Sequence, residues 1–551
     1  MLPLESAMIP RGQVVGPGGR QLTFTIASPT GSRAVRTRLS EEFELRERPS
    51  ESVQRTYYDT FDWRLFAAGE ILTTDRAAHS LRLAWSSTDG NDRYASLLLD
   101  EEPRFAIDLP VGAIRKGLEE RIAQRALLPL ATVSITTRTV LVVDAEGKTL
   151  VRILLEDYCL GNSDERAPSH PVRRLRLIGL KGYSVPFSRV RALVEESLGA
   201  APIDDSVYLQ ALAINGKQPG SYSSKLSLCL NPESRADAAV KHICTQLLMT
   251  LQTNEAGVRG DVDAECLHDY RVAIRRTRSA LGQMKGVFPV STVERYRREF
   301  AWLGQITGPL RDLDVYLLNF DAYQASLPAS LRKALEPLRV LLRQHKQQAH
   351  KALVIAMDSA RYKRLLSSWG RFLCTNPPRR SRLPNAAQPI ILVASGRLWR
   401  LYRRICRQGA AIQPDTAPEA LHILRKSCKK LRYLLEFFRS LYPEEELQDS
   451  IKALKQLQDI LGDFQDAAVQ SKALERYADE MDPGDLARET LLAMGTLIGN
   501  LVARQEKARA HLAESFQLFT GPKNDERFHG LFAVKANPRD EQMLAPRIIN
   551  P

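Results

Sequence analysis

The residues best suited to chemistry are His268, Arg271, Arg275, Arg276 and Arg278, and a second set, His422, Arg425, Lys426, Lys429, Lys430 and Arg432, in a chain of 551 residues with a formal charge of +14. Arginine offers a planar fork of donors to phosphate oxygens, lysine a mobile point charge, and histidine a donor on one or both ring nitrogens. Such a set suits the binding of a phosphate-bearing anion. No activated nucleophile accompanies it, and a histidine followed only by bases is a poor metal site, because a divalent ion would meet a positive field. Neither a catalytic residue nor a metal ligand is therefore assigned among them. For each histidine a structural role, as a cap or a core side chain, stays open beside that of phosphate donor.

The two sets are one pattern written twice. Sliding the chain by 154 residues lays the segment beginning at His268 on the segment beginning at His422, and without a gap then pairs Leu303 with Leu457, Ile306 with Ile460, Gly308 with Gly462 and Asp312 with Asp466. On a helix, His268, Arg271, Arg275 and Arg278 fall within an arc of about 80° over roughly 15 Å. Tyr270, Ile274, Leu281, Met284 and Phe288 cluster on another side, matched by Leu424, Cys428, Leu435, Phe438 and Tyr442. Each helix should thus have a core face and a basic face. A solvated amphipathic helix is the plain alternative, yet such a face usually mixes acids with bases, and here Asp269 and Glu436 are nearly alone. Packed as mates, the helices would fuse their basic stripes into one groove.

Two halves must position these residues. From 21 to 230 the chain alternates in short β-branched runs such as QLTFTI, SLRLAW and TLVRILLEDY, which predicts an antiparallel β domain. A turn at Asp144-Ala-Glu-Gly147 marks a hairpin, and Phe187 to Leu198 has helical spacing. From 234 to 519 the period becomes 3.6, giving an all-helical domain with repeats of about 234–376 and 390–519 around the proline-rich loop Pro377 to Pro389. Residues 1–20 are expected to be a flexible N-terminus and 520–551 a disordered tail.

The paired pattern H-x-x-R-x-x-x-R/K-x-x-R, with GPLRDLDV from Gly308 and GDFQDAAV from Gly462, resembles the conserved-histidine α-helical (CHAD) family. That resemblance implies two pseudo-symmetric helical bundles that bind inorganic polyphosphate. The first half resembles the CYTH domain of triphosphate tunnel enzymes through Tyr57-Tyr58-Asp59-Thr60-Phe61-Asp62, Leu65, Gly69, Leu81-Arg82-Leu83 and Ser224-Lys225. It implies an antiparallel, tunnel-like β-barrel in which acidic and basic residues hold metal and triphosphate. The family opens with E-x-E-x-K on its first strand, whereas this chain has Gln21-Leu-Thr23-Phe-Thr25 there and Arg174-Leu-Arg176 on a late strand. Glu42-Phe-Glu44-Leu-Arg46 imitates the missing motif but stands close to Tyr57, with no room for the usual helix between them. The barrel therefore reads as inactive, needing Mg²⁺ or Mn²⁺ only if it is not, and Arg82, Arg138, Arg152 and Lys225 are left as candidate anion contacts.

The expectation is an α+β multidomain protein whose helical half binds polyphosphate, for targeting or storage, with polyphosphate granules left open as a destination. A metal-dependent triphosphatase in the barrel and a nucleic-acid binder are the alternatives. The second is disfavoured because Tyr433 is nearly alone as an aromatic on the basic faces. Seven scattered cysteines without a C-x-x-C pair, no apolar leader and no membrane-spanning run predict a cytoplasmic protein.

Overall fold

The computed structural model describes residues 21–25, 32–88, 93–160, 172–197, 201–202, 206–413, 415–481 and 488–533. The expected flexible N-terminus lies outside them. The chain divides into two compact units between Ser223 and Ser224, a few residues ahead of the expected boundary at 230.

The first unit follows the order β1 (Gln21–Thr25), α1 (Ser32–Ser40), β2 (Glu44–Glu47), β3 (Glu51–Asp59), α2 (Arg64–Ala67), β4 (Glu70–Ala77), β5 (Ser80–Ser87), β6 (Arg93–Leu99), α3 (Ala113–Ile122), β7 (Leu128–Val143), β8 (Thr149–Leu160), β9 (Val172–Gly179), α4 (Ser184–Ser197), β10 (Ala201–Pro202) and α5 (Val207–Ile214). Its strands form one antiparallel sheet in the order β10-β1-β9-β8-β7-β3-β4-β5-β6, with β2 beside the far end of β7. Among the described residues β6 and β10 do not pair, so the expected barrel is an open sheet. The hairpin at Asp144 is formed as predicted: Asp144 Oδ1 accepts from the amides of Glu146 and Lys148 at 3.1 and 2.8 Å, and Gly147 takes a φ of 77° that the turn requires.

Strand residues alternate between faces, and the register sorts them. One face, with Val140, Val151, Ile153, Leu175 and Leu177, packs beneath α1 and α4 through Val35, Phe187 and Val190. The other carries Tyr57, Ile135 and Tyr158 and packs on Tyr208 and Leu212 of α5.

The second unit is helical: α6 (Ala236–Arg259), α7 (Ala264–Gln283), α8 (Val290–Ile306), α9 (Gly308–Leu318), α10 (Phe320–Ala325), α11 (Ala329–Arg332), α12 (Glu336–Asp358), α13 (Ala360–Cys374), α14 (Ile390–Ala410), α15 (Pro418–Phe437), α16 (Glu444–Glu480), α17 (Arg488–Ala510), α18 (Leu512–Thr520) and α19 (Pro522–Phe528). The 154-residue shift maps the bounds of α7 onto those of α15 and the first residues of α6 and α8 onto those of α14 and α16. The repeat is therefore structural. It breaks at Asn319, between α9 and α10, whose equivalent Ala473 lies inside α16, and at Thr307, where the first copy bends between α8 and α9 while Leu461 runs on inside α16. The Thr307 hydroxyl donates to the Leu303 carbonyl at 2.9 Å, a back-bond that lets the chain leave the helix there.

All ten apolar residues assigned to the inner faces of α7, α15 and their C-terminal ends are buried. The two repeats do not keep separate cores: Tyr270 and Phe300 of the first share a cluster with Leu398, Leu424 and Leu457 of the second. The expected disordered tail is corrected over its first part. The chain stays helical through Ala533, and Phe528 stacks on Tyr402 with ring centroids 4.0 Å apart, while Phe532 lies edge-on to Tyr442. Those aromatics need a dry partner, which α14 supplies. Residues 534–551 lie outside the described residues. No helix among the described residues is long and apolar enough to cross a membrane.

Candidate anion-binding site

The helices α7 and α15 pack against each other as mates of the repeat. Local chemistry fixes both. Asp263 caps α7 by accepting from the Cys266 amide at 2.8 Å, and Pro418 opens α15 at a position where its missing N–H costs nothing. Their apolar sides face the common core, which turns the basic residues toward one another at its rim.

Arg271, Arg275, Arg425 and Lys429 meet there, all half-buried. The Arg271 guanidinium is anchored by neutral groups, donating to the Gly304 carbonyl at 2.9 Å and to the Thr307 hydroxyl at 2.8 Å. Arg425 donates instead to Asp466 at 3.0 Å. The glycines of the two copies are equivalent beneath these arginines: a Cβ on Gly308 would lie 3.7 Å from Arg271 Nη1, and one on Gly462 would lie 3.7 Å from Arg425 Nη2. Burial, then Arg425 and Arg275, hold the Lys429 ammonium down to about 8. Burial and Arg275 likewise lower Arg271 to about 10, still charged at neutral pH. Arg275 thus bears on a cation of its own helix and on one of the opposite helix. Among the described residues, the Nε atoms of Arg271, Arg275 and Arg425 are buried without a hydrogen-bond partner, so the acceptors at this cluster fall short of its donors.

His422 is oriented from α16, where Gln465 Oε1 stands 2.9 Å from its Nδ1. An amide oxygen accepts, so Nδ1 carries a proton and Nε2 is the nitrogen left for a ligand. His268 is half-buried on α7. Arg276 and Arg432 differ from the rest, because Glu436 binds both: it accepts from Arg276 Nε and Nη2 at 3.1 and 2.5 Å and from Arg432 Nε at 2.9 Å. Arg278 and Lys426 are exposed and Lys430 is half-buried.

In the sheet, the alternation of strands separates the other candidates. Arg82 and Arg152 are exposed on the face that carries Tyr57 and Tyr158, whereas Arg138 points to the opposite face. These three therefore form no common site. Lys225 is exposed on the helical side of the division between units. Residues not singled out from sequence fill the Tyr57 face: Arg55 makes a two-pronged pair with Asp75 at 2.6 and 2.7 Å, and Glu156 accepts from Arg176 at 2.9 Å and from the Tyr158 hydroxyl at 2.7 Å. Arg176 thus neutralises an acid and does not leave an excess of positive charge. Asp59 of the tyrosine-aspartate motif caps α2, accepting from the amides of Thr60, Leu65 and Phe66 at 2.7 to 2.9 Å. With β1 bearing Gln21, Thr23 and Thr25, and both Asp75 and Glu156 bound to arginines, the face does not fit a divalent cation.

Residues 242–475 match the family of the CHAD domain. The helical unit carries a CHAD domain. A solved CHAD domain from the plant Ricinus communis is 26% identical and covers 53% of this chain and 95% of its own, with a TM-score of 0.45. An uncharacterised protein of Mycobacterium tuberculosis strain H37Rv is 27% identical over 285 residues, and this chain spans about half (52%) of its length. A putative adenylyl cyclase from Hippeastrum, described as having a dominant triphosphatase activity, is 13% identical over 37% of this chain and 99% of its own, with a TM-score of 0.27.

Within the CHAD domain, the first copy has a further cation that the spacing along α7 does not reveal. Arg311 stands where the second copy has Gln465, and it donates to the Ala264 carbonyl at 2.9 Å at the start of α7. Aligning the two copies residue by residue through α9, and not only through α7, exposes that substitution.

Proposed function

We propose that the CHAD domain binds inorganic polyphosphate along the seam of α7 and α15. The observation that carries this reading is the cross-helix cluster of Arg271, Arg275, Arg425 and Lys429, in which neighbouring cations depress Arg271 and Lys429 while three guanidinium nitrogens have no partner among the described residues. Like charges gathered at a half-buried seam cost free energy in the unliganded protein, and a polyanion that brings its own negative charge relieves that cost and releases its counterions. A chain of phosphates suits the repeat, since equivalent donors recur on both helices. The sequence resemblance points the same way.

The role of the bound polymer in targeting or storage belongs to the same proposal. In the test, the full chain is titrated with long-chain polyphosphate, and Arg271, Arg275, Arg425 and Lys429 are reversed to glutamate in pairs. Binding should fall by on the order of 10²-fold or more, while Arg82→Gln and Arg152→Gln in the sheet should change it less than twofold. The opposite pattern would move the site to the sheet. Single-stranded RNA added at equal phosphate concentration should compete poorly, because the seam offers little for bases to stack on; effective competition would favour a nucleic-acid binder. Phosphate release from triphosphate in Mg²⁺ or Mn²⁺ would revive a catalytic sheet.

A further inference from the structure

The two sides of the α7–α15 seam are not electrostatically equal, although the repeat makes them structurally equivalent. On one side Glu436 holds Arg276 and Arg432. The 154-residue equivalent of Glu436 is Gly282. Without a side chain there, a guanidinium from α8 lies against the helix: a Cβ on Gly282 would stand 3.6 Å from Arg297 Nε and 3.7 Å from its Cζ. The other substitutions run in the same direction. Arg297 replaces Ile451, Arg404 on α14 replaces Thr250 on α6, and Lys426 replaces Val272.

On the Gly282 side the charges that bear on Arg278 and Lys430 are therefore all positive, Arg297 on the first and Arg404, Arg297 and Lys426 on the second. None of these five side chains makes an ion pair among the described residues. Arg278, Arg297, Arg404 and Lys426 are exposed, and Lys430 is half-buried. These five cations from α7, α8, α14 and α15, unpaired among the described residues, continue the central cluster outward. The other side ends in a carboxylate.

We infer that a bound polyanion leaves the central cluster on the Gly282 side, where Arg297 and Arg404 form a second phosphate-binding segment, and that it does not pass Glu436. This rests on the polyphosphate reading. A ligand of a few phosphates is satisfied by the central cluster, so the segment should matter only to longer chains. It makes the site a selector of chain length with one open end.

The test uses the full chain and two ligands, tripolyphosphate and long-chain polyphosphate, at fixed salt. Arg297→Gln with Arg404→Gln removes two exposed charges from the segment; Lys333→Gln with Arg343→Gln removes two from the start of α12 and the turn before it. The first pair should weaken long-chain binding about tenfold and flatten its salt dependence by about one to two contacts, with tripolyphosphate unchanged within twofold. The control pair should leave both ligands within twofold. Gly282→Glu, which copies Glu436, should also lower long-chain affinity selectively. Equal losses from both pairs, or an equal loss for both ligands, overturn the second segment while leaving the central site standing. Failure of the unaltered protein to bind either phosphate overturns the central site and the segment with it.

Discussion

Lys429 is the residue of the α7–α15 seam whose charge changes within reach of ordinary buffers. Its ammonium is held down to about 8 by burial and by Arg425 and Arg275, so polyphosphate affinity is expected to fall as pH rises through that value. Lys429→Arg keeps the charge and should abolish the step, which isothermal titration from pH 7 to 9.5 would reveal; a profile unchanged in the variant would assign the step elsewhere. The stability of the free protein moves oppositely. The folded value lies below the ordinary 10.5, so between about 8 and 10.5 the unfolded chain binds more protons at this group, and its contribution to stability rises with pH across that window. Arg271, held down to about 10, is still charged at neutral pH, and its anchoring by Gly304 and Thr307 assigns it to position as much as to charge.

Among the elements, α7 and α15 were legible from the spacing of their apolar residues, down to the ten side chains that are buried. The pairing of Arg276 with Glu436 was not, because a charge on a helical stripe does not reveal which neighbouring helix supplies its partner. Glu436→Gln tests that pairing from both directions. It removes a half-buried carboxylate shared by two arginines, so the fold should lose about 1 to 3 kcal/mol, while long-chain polyphosphate binds several-fold more tightly to the freed guanidiniums. Thermal melts and titrations on the same variant decide it, and weaker binding would show that Glu436 organises the site. In the sheet, the turn at Asp144 and the helix α4 followed their local signals. The arginine candidates did not form a site there, because period-two alternation sends Arg138 away from Arg82 and Arg152, and cross-strand partners such as Glu156 are distant in sequence.

For the whole molecule, the division into a sheet unit and a helical unit followed from the change of hydrophobic period, whereas the open edge of the sheet and the end of the helical unit did not. Residues after Thr520 lack a long period, and their ordering comes from two aromatics, Phe528 and Phe532, that find α14 and its neighbours. Phe528→Ala should therefore cost about 3 to 5 kcal/mol, and chemical denaturation of a chain ending at Phe519 should show a destabilised helical unit; wild-type stability in both would return this segment to a dispensable tail. The seam is tested most directly by titration of the full chain with long-chain polyphosphate over a range of salt, beside the Arg275→Glu, Lys429→Glu double variant. Tight binding whose logarithm falls linearly with the logarithm of salt, and which collapses in the variant, is the predicted result. Equal binding by both proteins would contradict the account.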